Sequence, residues 1–133
     1  MALLIGVSLA LAVGIFATAI GLDRDRAFYP TVTIVIAAYY ALFAVMGAST
    51  HTLVLEVSAG AVFLLLAAYG FKTSLWVVAA ALAAHGILDL VHGSVIPNPG
   101  VPAWWPGFCL GYDVAAAAYL TWLIRRGRIR AVA

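Results

Sequence analysis

The chain has 133 residues, 66% of them hydrophobic and 9% charged, with a mean hydropathy of +1.12. A soluble domain carries about a quarter charged residues, so this composition excludes an ordinary water-facing surface. At roughly 20 residues per span, five or six membrane crossings use up the length. The net charge of +2 resides in Arg24, Arg26, Lys72, Arg125, Arg126, Arg128 and Arg130, all beside apolar runs. That is the pattern of orientation signals and anionic-lipid contacts, and it argues against a nucleic-acid partner.

In chain order, apolar runs predict membrane helices over residues 3–22, 31–48, 52–71, 74–96 and 107–124. The expectation is an all-α polytopic membrane protein, a five-helix bundle forming one domain over residues 1–133. Helix is the conformation that satisfies the backbone inside hydrocarbon, and uninterrupted apolar runs are not barrel strands. The first run resembles a signal segment at Ala17-Thr18-Ala19 but is too long for one, so it reads as a retained span. Pro30 marks the start of the second. Lys and Arg occur in the first and third connections and in the C-terminal tail, and are absent from the second and fourth. This alternation predicts an outside N-terminus, an inside C-terminus and a multi-pass protein of the bacterial inner membrane.

Small residues recur at intervals of four on the first helix (Gly6, Ala10, Gly14, Thr18) and the fifth (Gly107, Gly111, Ala115). Such stripes allow close helix contact, within one bundle, in a homo-oligomer or in a larger membrane complex. The loop around Trp104 and Trp105 reads as an interfacial anchor, or as a lid over a polar cavity opening toward the outer face.

Ionisable residues inside spans are costly and therefore face the protein interior. Here they are Glu56, His85, Asp89, His92 and Asp113, with His51 at an edge. His85, Asp89 and His92 fall within an arc of roughly 60° on one helix face. Glu56, Asp89, His92 and Asp113 are expected at similar depth from three different helices, with His85 nearer mid-membrane. Two imidazoles and three carboxylates suit a divalent transition metal such as zinc, copper or iron. A metal so held could activate water or oxygen on a lipophilic substrate.

The same residues also suit a structural core of His–Asp hydrogen bonds; a non-enzymatic accessory subunit of a larger membrane complex is the competing function, and a proton or ion conduit comes third, because the apolar inner half offers it no exit. Whether the protein is an enzyme stays open at this point. Tyr39, Tyr40 and Tyr112 read chiefly as interfacial aromatics, with hydrogen bonding into the polar cluster as the alternative. Ser49 and His51 form a weak nucleophile–base pair. Cys109, the single cysteine, excludes an intrachain disulfide and reads as a small apolar packer or a soft metal ligand.

The stretch from His85 to His92, followed by Val101-Pro102-Ala103-Trp104-Trp105-Pro106-Gly107-Phe108-Cys109-Leu110-Gly111-Tyr112-Asp113, resembles a group of small, uncharacterised bacterial polytopic integral membrane proteins. The resemblance covers the last two spans and implies a helical membrane fold without implying an activity.

Overall fold

The computed structural model describes residues 1–132. Among them are five helices and no strand: α1 (Ala2–Ile20), α2 (Phe28–Gly47), α3 (Thr50–Lys72), α4 (Leu75–Val95) and α5 (Trp105–Arg125). Each is long and apolar enough to cross a membrane, and the protein is a multi-pass membrane protein. Helix ends follow local chemistry. The Ser49 hydroxyl accepts the Thr52 N–H at 3.2 Å and Ser74 accepts the Trp76 N–H at 3.3 Å, each an N-cap. Gly21, with φ 79°, closes α1 in the left-handed conformation while the Leu22 N–H bonds back to the Ala17 carbonyl. One boundary differs from expectation. α2 begins at Phe28, so Pro30 lies inside the first turn rather than opening it, where its missing N–H has no intrahelical partner to lose.

The helices do not pack in chain order. α1 lies on α5, α5 on α4, α4 on α3 and α3 on α2, while the α2 backbone touches α4 only lightly and stays apart from those of α1 and α5, meeting them through side chains. Glycines of both small-residue stripes lie in the contact between α1 and α5, although Gly107 meets nothing within 4 Å. A Cβ on Gly6 would strike the Phe108 carbonyl, and one on Gly111 would strike the Leu3 carbonyl. Only glycine lets these two backbones approach so closely. The outward faces carry Ile15, Phe16, Val62, Leu65, Ile87 and Leu90, a surface suited to lipid.

At the end of the bundle that carries the C-terminal tail, two residues expected to lie at the membrane surface are buried. Asp23 accepts the Thr18 hydroxyl at 2.7 Å. Arg26 adopts φ 71° and sends its guanidinium to the carbonyls of Phe71 (2.9 Å), Gly70 (3.4 Å) and Arg130 (3.1 Å). Arg26 thus satisfies the exposed carbonyls at the end of α3 and pins the tail. The tail also pairs beside α4, with the Leu75 N–H on the Ala131 carbonyl at 2.7 Å. Below, the opposite end of the bundle is called the loop end, after the connection between α4 and α5.

Candidate metal centre

The ionisable residues of the spans are turned inward: Glu56, His85, Asp89, His92 and Asp113 are each at most 3% exposed. α4 supplies three of them because positions 85, 89 and 92 share its buried face with Val78 and Leu82. Asp113 enters from α5, and Glu56 from α3. Gly86 lacks the side chain that would otherwise crowd the Asp113 Cβ, 3.3 Å from a Cβ built there.

The cluster has two parts. In the first, His85 Nδ1 lies 2.7 Å from Asp113 Oδ2 and 3.7 Å from Asp89 Oδ2. One ligand atom from each of these three residues falls within 4.8 Å of the others. In the second, His92 Nε2 faces both carboxylate oxygens of Glu56, at 3.0 and 3.1 Å. Tyr40 joins them. Its hydroxyl donates to Asp89 Oδ1 at 2.5 Å, and its ring stacks on His92 with centroids 3.8 Å apart. Asn98, from the loop, donates to Glu56 Oε1 at 2.7 Å and to the Tyr40 carbonyl at 3.1 Å. Phe63 closes the His85 ring edge-on.

Two oxygens stand out. Asp89 Oδ2 and Asp113 Oδ1 are buried and make no hydrogen bond within the protein. A buried carboxylate ordinarily has its acceptor sites filled, so the two unfilled positions beside one imidazole point to a group that takes electron pairs. A tetrahedral ion with bonds of about 2.0–2.2 Å separates its ligand atoms by roughly 3.4 Å. The observed separations of 2.7 and 3.7 Å from His85 Nδ1 lie on either side of that value, and the three residues could hold a metal ion. Three protein ligands leave further coordination positions for other donors.

Several expectations are corrected. In place of the expected polar cavity, the void beside Glu56, His85 and His92 is about 10 Å³, room for about one water, and Asn98 reaches over from the loop to Glu56. Tyr40 is a buried bridging residue, not an interfacial aromatic; its place on the α2 face with Thr33, Ile36, Ala37 and Ala44 was a readable signal. Asn98, inside Pro97-Asn98-Pro99-Gly100, looks like a turn residue and offered none. Ser49 is occupied as an N-cap, and His51 is exposed, so that pair forms no reactive couple. Cys109 is buried and lies outside the three-residue group, on the wall of an apolar groove that also takes in Tyr39 and Tyr112.

No family model matches the chain, and no curated protein or solved structure matches it.

Proposed function

We propose that this membrane protein binds one divalent transition metal, zinc, copper or iron, between α4 and α5. His85 Nδ1, Asp89 and Asp113 are the ligands, with the Glu56–His92 pair as the adjoining half of the centre. The observation that carries the reading is the pair of unfilled buried oxygens on Asp89 and Asp113, considered with the charge around them.

Glu56 is already paired with His92. Asp89 and Asp113 set two carboxylates against the single imidazole of His85, an acidic surplus that a divalent cation complements and that is costly to leave unpartnered inside a bilayer. Tyr40 and Asn98 then orient the carboxylates from outside the ligand set, as hydrogen-bonded partners do around metal sites. The mix of imidazole and carboxylate suits borderline metals rather than calcium or magnesium, which prefer oxygen alone.

The test is metal analysis of protein purified in mild detergent, loaded with zinc and freed of excess ion. Wild-type protein is expected to retain about one ion per chain and Asp113→Asn to lose it. Equal, negligible metal in both removes the reading.

A further inference from the structure

An ion held by His85, Asp89 and Asp113 has to reach them through a bundle whose outside is apolar. Toward the tail end the way is closed. Beyond His85 the buried face of α4 continues as Leu82, Val78 and Leu75, each 0% exposed, and a cation does not cross such packing. Sideways, the groove of about 470 Å³ between α1 and α2 has apolar walls of Leu9, Val13 and Val35. On the other flank α3 closes on α2, where a Cβ on Gly60 would lie 3.2 Å from the Ala37 carbonyl.

Polar groups continue in one direction only, toward the loop end, through Asp89, Tyr40, His92, Glu56 and Asn98. Resting on the metal reading above, we propose that the ion enters and leaves along this line. Glu56 and His92 are its transit site, and the Asn98 side chain is the gate.

Asn98 stands half-buried at the outer end of the line. Its Nδ2 donates to Glu56 Oε1 at 2.7 Å and to the Tyr40 carbonyl at 3.1 Å, so it occupies an oxygen that an arriving cation would use. The loop behind it is seated on α2, because Gly100 lies too close to the Phe43 carbonyl to admit a Cβ. The moving part is therefore the side chain. Rotating it toward water gives up those two bonds and the one from the Gly100 N–H to Asn98 Oδ1, at 3.1 Å, and frees Glu56. Glu56 and His92 then offer an acid and an imidazole, donors that a borderline metal accepts. The void of about 10 Å³ beyond them is lined by Glu56 and His92 on one side and His85 on the other, and so joins the pair to the ligand set. His92 and His85 are about 10 Å apart along α4, with Asp89 between them.

The experiment mixes zinc with metal-free protein in detergent and follows free zinc with a fluorescent indicator, then follows release into excess chelator. Uptake is the deciding rate: a support lost from the ligand set speeds release, whereas an opened gate speeds uptake as well. Asn98→Ala removes a hydrogen bond to a carboxylate, which is worth about tenfold in the open population, and uptake should rise by that factor. Glu56→Gln can still accept from Asn98 but lacks the charge, and should slow uptake. Ser94→Ala, exposed near the loop end and outside the line, should match wild type. Wild-type protein that takes up no zinc overturns the metal centre and the gate together. Zinc bound by wild type, with uptake no faster in Asn98→Ala, overturns the gate alone, and uptake at the wild-type rate in Glu56→Gln overturns the transit site.

Discussion

Asp89→Asn separates a metal centre from a structural polar core, because the two make opposite predictions for it. The substitution preserves shape. The amide oxygen can still accept the Tyr40 hydroxyl, which lies 2.5 Å from Oδ1, and the amide nitrogen replaces the oxygen that has no partner. What disappears is one negative charge. Ligand oxygens of Asp89 and Asp113 lie within 4.8 Å of each other, so at an effective dielectric constant near 20 the two carboxylates repel by at least about 3.5 kcal/mol when His85 is neutral. Metal-free Asp89→Asn is therefore expected to be more stable than metal-free wild type, by about 1–3 kcal/mol.

Zinc reverses the order. At a free concentration one hundred times the dissociation constant it stabilises wild-type protein by about 2.7 kcal/mol, and the variant, with one ligand fewer, gains little. Unfolding in detergent, followed by the intrinsic fluorescence of the four tryptophans with and without zinc, reads both effects. A structural core predicts instead that the variant loses the charge assistance of the Tyr40 bond and is less stable than wild type by about 1 kcal/mol, with zinc indifferent in both proteins. That outcome refutes the metal reading.

Two further predictions concern the supports of the site. Tyr40→Phe keeps the ring stacked on His92 and removes only the hydroxyl; it is expected to destabilise the fold by about 1.5–3 kcal/mol and to weaken zinc binding, both measurable in the same titration. Gly111→Ala drives a methyl group into the Leu3 carbonyl, whereas Gly107→Ala on the same helix meets nothing within 4 Å. The first is expected to cost about 1–3 kcal/mol by overpacking and the second to be neutral or stabilising by up to about 1 kcal/mol; equal thermal stability of the two variants would mean that α1 and α5 do not meet through glycine.

What the sequence discloses about this protein follows from the severity of hydrocarbon as a solvent. Five apolar runs become five helices because no other structure satisfies the backbone there, and the ends move by only a few residues. Glu56, His85, Asp89, His92 and Asp113 announce themselves because lipid tolerates no unpartnered charge, and all five are indeed buried together. Their division into a three-residue group and a pair is not legible in the same way. It depends on which helices are neighbours, and hydropathy says nothing about the order α1, α5, α4, α3, α2. Tyr40 was ambiguous because a phenol is as comfortable at the headgroups as in a hydrogen-bonded core, and its place on the buried α2 face decides between them. Arg26 was hidden because a buried carbonyl clamp and an orientation signal require the same residue in the same turn.

The neighbour order itself follows from the glycines. Gly6 and Gly111 let the α1 and α5 backbones close to contact, and a helix seated so deeply on one partner cannot also cover another. α2 meanwhile is held on the far side of the bundle, by α3 along its length and by the Asn98 side chain on the Tyr40 carbonyl. The groove between α1 and α2 is thus the geometric remainder of two tight contacts made elsewhere. The polar cluster is built at two other seams, where α4 meets α5 and sets Asp113 against His85, and where α2 touches α4 and sets Tyr40 against Asp89.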